Sequence, residues 1–160
     1  MNEKELLLSF WERETAVTRK VISRVPQEKS NYRPDAKSRN ARDIAWLLVG
    51  AEKFLVEGLE NGKLDWKEKP TPATVEEILA TWDREHADLV KRLHKIATGA
   101  WERKIPFLVN GHEVMNETGY LHAWITLFDH VHHRGQLSTY LRPMGSTVPS
   151  IYGPSADEQM

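Results

Sequence analysis

Four long segments of the chain carry apolar residues at intervals of three and four positions, and this pattern limits the fold more than any other feature. That spacing places the apolar side chains on one face of an α-helix, which must then be buried against a partner. The predicted helices cover residues 3–25, 41–59 and 74–97, and a last helix from near Asn116 to just before Pro143. At 160 residues, the chain fits a single domain, 1–160, with one core.

The apolar faces of these helices define the predicted core. The face of the first helix contains Leu6, Phe10, Val17, Val21 and Val25. The face of the last helix contains Leu121, Trp124, Phe128 and Val131. Asn110 and Gly111, between two short apolar runs, predict a β-hairpin before the last helix. We therefore expect an all-α fold, a bundle of four helices with one short hairpin.

Composition narrows the classes of function. The formal net charge is −1, so there is no overall basic character to indicate nucleic-acid binding. No apolar run approaches the roughly 20 residues that span a bilayer, and the acidic N-terminus does not resemble a signal peptide. The absence of cysteine excludes disulfides, thiolate metal ligands and cysteine nucleophiles. We expect a cytoplasmic protein that contacts neither membrane nor nucleic acid.

The last helix carries the densest group of ionisable residues, in "FDHVHHRGQ". Asp129 and His133 lie one helical turn apart, a spacing that allows two side chains to bind one divalent ion. His130, three residues before His133, could replace Asp129 or add to it. His132 points away from His133, toward Gln136 or a backbone carbonyl in the loop. The alternative is a weak ion pair on a solvated face, because a metal ion needs a third ligand from elsewhere.

Three stretches of the sequence resemble a known family. "HHRGQLSTYLRPMG", the following "VPSIYGPSADE" and the earlier "ARDIAWLLVGAEKFL" are similar to the DinB/YfiT-like family of DNA-damage-inducible proteins. With the order of the helices, the resemblance covers nearly the whole chain. It implies an up-up-down-down four-helix bundle with a long cross-connection after the second helix. It also implies a homodimer.

The resemblance implies a metal site in which one position is unusual. Family members hold a divalent metal with three histidines, one on the second helix and two, four residues apart, on the last. The last-helix pair corresponds to Asp129, an acidic variant, and His133, and the ion would be Zn, Ni, Fe or Mn. The second-helix position falls on Leu47, which cannot bind a metal. His86 or Asp43 could supply a third ligand, although a lone histidine on an apolar face is more often a core residue bonded to a neighbour.

Two classes of function follow. The resemblance implies a metal-dependent thiol transferase or hydrolase acting on a small-molecule substrate, with His130 or His132 as acid or base. Arg134 could hold an anionic group or form a surface salt bridge, and Tyr152 could close over the site or simply pack. The alternative, which Leu47 favours, is a bundle without enzymatic activity that binds a small molecule or serves as a dimeric stress-associated protein. The charge balance disfavours the DNA binding that the family's name suggests.

Overall fold

A computed structural model describes residues 1–159 and contains five α-helices and a three-stranded sheet. The elements in chain order are α1 (Glu3–Ile22), α2 (Ala41–Asn61), β1 (Leu64–Trp66), α3 (Val75–Lys95), α4 (Thr98–Glu102), β2 (Lys104–Val109), β3 (His112–Thr118) and α5 (Gly119–Leu141). A single 3-10 turn, Gln27–Lys29, lies in the connection between α1 and α2. The all-α prediction is wrong in this respect, because the chain also forms a small sheet.

Side-chain caps set where the long helices begin. Asn2 caps α1 and Thr74 caps α3, each in a capping box with the glutamate three residues later. The predicted start of α5 was too early. Asn116 pairs with Pro106 in the sheet, and the helix begins only after its N-cap, Thr118. The predicted helices therefore exist, with ends that differ by a few residues.

The sheet contains the predicted hairpin and one further strand. Asn110 and Gly111 have φ values of 51° and 80°, the left-handed region that a two-residue hairpin turn requires. They join the antiparallel strands β2 and β3. The third strand, β1, pairs parallel with β2, with Leu64 opposite Phe107. Strand β1, which follows α2 in the chain, packs against α2 and so places the sheet beside that helix.

The four long helices pack in a closed ring, in which α1 and α2 each contact both α3 and α5. The side chains form two apolar clusters. The first draws on residues 21–25, 41–49, 75–82 and 137–144. The second draws on residues 7–11, 55–64, 89–105 and 123–127. Since α1 and α5 run from the second cluster to the first and α2 and α3 run the other way, the order is up-down-down-up. The predicted up-up-down-down order is wrong, whereas the long cross-connection after α2 is present in residues 62–74.

A layer of buried polar side chains lies between the two apolar clusters. Its fully buried members are Glu14, Thr15, Thr18, Glu52, His130 and Arg134. Burial of charged groups is costly unless each finds a partner of opposite charge and hydrogen bonds. The fold therefore has to position each side chain of this layer next to a hydrogen-bonding or oppositely charged partner.

The layer explains why the predicted core faces of α1 and α5 are wrong in part. On α1, Leu6 and Phe10 are 40% and 37% exposed, and on α5, Leu121 and Phe128 are 42% and 65% exposed. The buried face of each helix is displaced by about one sequence position from the predicted face, which corresponds to a rotation of roughly 100° around the helix axis. This rotation directs the polar residues of the layer, instead of these apolar side chains, toward the interior.

Candidate functional site

Asp129 and His133 lie together on α5, one helical turn apart as predicted. The Nε2 atom of His133 is 3.4 Å from Oδ1 of Asp129, and the two side chains are 20% and 55% exposed. The hydrogen bond to His133 holds the pKa of Asp129 below its ordinary value. The same contact raises the pKa of His133 above its ordinary value, against the opposing effect of burial. The two residues therefore form an ion pair at the edge of the fold.

Gln136 occupies the other side of the His133 ring. The Nδ1 atom of His133 donates to Oε1 of Gln136 at 2.9 Å, and the amide nitrogen of Gln136 donates to Nε2 of His132 at 3.0 Å. The prediction that Gln136 is the partner of His132 is confirmed. Both ring nitrogens of His133 thus face acceptor oxygens, an arrangement that favours the doubly protonated ring.

A cavity of about 260 Å³ lies beside Asp129. Its wall consists of Leu47, Ala51, Phe54, Trp66, Phe107, Ile125, Thr126 and Asp129. Helices α2 and α5 and strands β1 and β2 all contribute to this wall. The rings of Trp66 and Phe107 pack against Phe54 with centroids 5.3 and 5.4 Å away. The cavity is therefore apolar and aromatic, with one carboxylate at its edge.

A second, larger cavity of about 680 Å³ adjoins the first. Leu47, Phe54 and Trp66 line both cavities and separate them. The larger cavity follows the outer face of α2 from Asp43 to Asn61. Charged residues of both signs, many of them paired with each other, surround it. The larger volume lies within the range found for pockets that bind small molecules, roughly 300–1,000 Å³, and the smaller volume lies just below that range.

Arg134 belongs to the buried polar layer, about 100° around α5 from His133, and the exposed Tyr152 contacts it from the surface. Arg134 is 1% exposed, and its guanidinium lies 2.7 Å from Oε2 of Glu14. The Tyr152 hydroxyl donates to the same carboxylate oxygen at 2.8 Å and accepts from Arg134 at 2.9 Å. Burial, with the Glu14 contact, raises the pKa of Tyr152. The surface salt bridge predicted for Arg134 is wrong, because the guanidinium neutralises a buried carboxylate.

His130, the first of the two residues predicted as acid or base, is buried against α1. The Thr18 hydroxyl donates to the backbone carbonyl of Glu14, so its oxygen accepts from Nε2 of His130, 2.8 Å away. Burial lowers the pKa of His130 to about 3, and the ring is neutral at pH 7. His130 and the exposed His132 are absent from the described walls of both cavities. Their role in acid–base chemistry stays a prediction.

His86 lies in the same polar layer and has a structural partner. Its Nδ1 atom is 2.8 Å from Oε2 of Glu52, whose other oxygen accepts the Trp11 indole N–H at 2.8 Å. The Glu52 contact raises the pKa of His86, and the ring stacks on Trp82 with centroids 5.0 Å apart. The interpretation of His86 as a histidine bonded to a neighbour is confirmed, although its side chain is 28% exposed and thus only partly in the core.

The family follows from comparison with known proteins. The model of the DinB family matches residues 1–160, which is the whole chain. This chain belongs to the DinB family. Among curated proteins, it is 26% identical over 154 residues to the uncharacterized protein YrdA of Bacillus subtilis, an alignment that covers 94% of this chain and 89% of YrdA.

Solved structures of DinB-like proteins share the fold. A DinB-like protein from Bacillus cereus ATCC 10987 matches with a TM-score of 0.75 and 21% identity, over 92% of this chain and 97% of the other. The DinB-like protein YjoA from Bacillus subtilis matches with a TM-score of 0.70 and 19% identity, over 97% and 99%. A mycothiol-dependent maleylpyruvate isomerase matches with a TM-score of 0.50 and 13% identity, over 91% of this chain and 62% of that enzyme. In the described part of this DinB-family chain, no helix has the length and apolar composition of a membrane span.

The metal site implied by the DinB family does not fit the side chains present. Leu47 and Asp129 line the same cavity, so the family's second-helix position does face the first residue of the last-helix pair. Leucine offers no donor atom, and both nitrogens of His133 already face hydrogen-bond acceptors. Within residues 1–159, no three histidine, aspartate or glutamate side chains converge to hold an ion. Asp129 and His133 alone form an incomplete set of ligands.

Reasoning from the sequence missed two buried carboxylates and most of the cavity wall. Glu52 carries a usable signal, because it lies four residues after Leu48 and three before Leu55, on the apolar face of α2. Glu14 has no such signal, since the apolar face of α1 was itself assigned one position away. Trp66 lines the cavity through β1, a strand that was read as part of a loop.

Proposed function

We propose that this DinB-family protein binds a small molecule with an apolar body in the cavity beside Asp129, without a metal held by three protein side chains. The observation that carries the proposal is Leu47, which replaces the family's histidine and contributes apolar surface to the cavity wall. The aromatic residues Phe54, Trp66 and Phe107 complete a wall suited to an apolar ligand. The ion pair of Asp129 and His133 supplies the polar contact at the rim.

Ligand binding is tested with 2-phenylethanol, a small neutral aromatic probe. In an NMR titration, we expect the indole N–H signal of Trp66 to shift and saturate. Leu47→Trp, which adds an indole ring to the cavity wall, should abolish the shift. Leu6→Trp, the same change at an exposed position of α1 outside both cavities, should leave it unchanged. Equal binding by all three proteins, or no binding by the native one, would refute the proposal.

A second candidate is the metal-dependent thiol transferase or hydrolase implied by the family. The one-turn spacing of Asp129 and His133 supports it, as does the likeness in fold to a mycothiol-dependent enzyme. Elemental analysis after incubation with zinc, nickel or manganese separates the two candidates. We expect no stoichiometric metal in the native protein and one equivalent in Leu47→His, lost again when His133→Ala is added. One equivalent in the native protein that disappears in His133→Ala would instead favour the metal-dependent enzyme.

We also propose that two copies associate through the outer face of α5. Leu121, Ile125 and Phe128 follow one another on this face at helical spacing and are 42%, 37% and 65% exposed. A helix that is apolar on more than one face is typically covered on each of them. Light scattering after gel filtration should give a dimer for the native protein and a monomer for Phe128→Glu. Val114→Glu, the same type of change on β3, should remain dimeric.

A further inference from the structure

The smaller cavity combines a single carboxylate with three aromatic rings. Its wall contains Asp129 as its one charged residue, and no lysine, arginine or histidine contributes to it within the described chain. The rings of Phe54, Trp66 and Phe107 are tilted or edge-on to one another, with interplanar angles of 83° and 59° about Phe54. The three rings therefore contribute to the cavity wall in different orientations. Aromatic rings attract cations by the electron density of their faces.

The Asp129 carboxylate retains capacity for a ligand. Its Oδ1 atom faces His133 at 3.4 Å, and its other oxygen makes no hydrogen bond to the described residues. The His133 ring is not part of the cavity wall, so the Asp129 carboxylate is the charged group that the wall presents to a ligand. Lys53 and Lys67 line the larger cavity, beyond the partition, and each has a carboxylate partner of its own.

We propose that this cavity binds an organic cation, in which an ammonium group is attached to an apolar, preferably aromatic body. The carboxylate of Asp129 would pair with the ammonium group, while Leu47, Ala51 and the three rings would contact the body. A cavity of about 260 Å³ accommodates a molecule with one aromatic ring and a short side chain. This inference rests on the proposed small-molecule site and adds the charge of its ligand.

Three probes of nearly equal shape isolate that charge. They are 2-phenylethylamine, which is cationic at neutral pH, 2-phenylethanol, which is neutral, and phenylacetate, which is anionic. From one ion pair and contacts with the rings, we expect the amine to bind about tenfold more tightly than the alcohol, and phenylacetate to bind more weakly than both. Dissociation constants come from the NMR titration of the Trp66 signal.

Asp129→Asn tests the source of the preference, since the amide keeps the shape and removes the charge. We expect this variant to lose most of the preference for the amine over the alcohol and to keep only the contribution of the rings, about twofold to threefold. Glu28→Gln, which removes an exposed carboxylate in the connection between α1 and α2, should keep the full preference. Equal binding of the three probes by the native protein overturns the inference while the proposed site stands. Binding of none of them overturns both, and a full preference of about tenfold that survives Asp129→Asn overturns the assignment to that carboxylate.

Discussion

Arg134→Met tests whether the buried guanidinium stabilises the fold or serves as a site for an anionic ligand. Arg134 and Glu14 are 2% and 3% exposed as side chains, and their charged groups are 2.7 Å apart. Removal of the arginine leaves the Glu14 carboxylate in the interior, where an unpaired charge costs about 3–5 kcal/mol. The Tyr152 hydroxyl still donates to it at 2.8 Å, and Arg13, whose Nε is 3.3 Å away, still faces water.

Because those two contacts remain, we expect a loss of about 3 kcal/mol in the free energy of unfolding, at the lower end of that range. The double variant Glu14→Met, Arg134→Met replaces the buried pair by apolar side chains of similar size. It should fall within about 1 kcal/mol of the native protein, since well-packed apolar replacements of buried ion pairs are often neutral. Glu14→Met alone leaves the buried guanidinium without its carboxylate and should also lose about 3 kcal/mol, so the losses of the two single variants together exceed that of the double variant by about 5 kcal/mol.

Urea unfolding followed by far-ultraviolet circular dichroism measures these differences. The matched control is Arg19→Met, because Arg19 on α1 also pairs with a carboxylate, Asp83, but in an exposed position with both partners 43–50% accessible. That variant should lose no more than about 1 kcal/mol. A loss for Arg134→Met as small as that of the control would refute the reasoning, as would a double variant whose loss equals the sum of its parts. Arg134→Met should also bind 2-phenylethanol normally, because Arg134 lies outside both cavities.

Three further predictions follow from the same contacts. In an NMR pH titration, the pKa of His133 should lie above the usual value of about 6.5, and Asp129→Asn should lower it. The contact with Glu52 raises the pKa of folded His86, so its stabilising effect is complete below about pH 6.5 and is lost as the pH rises through the folded value. His86→Gln should therefore destabilise the protein more at about pH 5.5 than at about pH 9, measured by urea unfolding. Gly135→Ala should raise the unfolding free energy by about 0.5–1 kcal/mol, because a Cβ there meets no atom within 4 Å and alanine favours the helix.

The helices and the hairpin could be predicted because their signals are local. Apolar spacing, a capping residue such as Thr74 and the Asn110 turn all act within a few residues of where they occur. Strand β1 has no such signal. It is three residues long, Leu64–Trp66, and its partner strand begins about forty positions later in the chain, at Lys104. Its pairing is set by tertiary contact, which periodicity does not report.

The faces of α1 and α5 could not be predicted for a different physical reason. Each helix carries two neighbouring stripes, one apolar and one mixed, and counting apolar residues selects the first. The structure buries the mixed stripe because Glu14 and Thr18 on α1 find partners in Arg134 and His130 on α5. Once such groups are paired, the usual penalty for their burial is largely removed. Which stripe faces inward therefore depends on both helices together.

The crowded sequence of α5 separates into two pairs with different surroundings. His130 and Arg134 are one turn apart and face α1, where both are buried and bonded to residues of that helix. Asp129 and His133 are also one turn apart, but they lie about 100° further round the helix, at the edge near α2. The first pair has its partners within the fold and stabilises it. The second pair keeps a carboxylate oxygen free beside a cavity, and for that reason ligand chemistry is expected there.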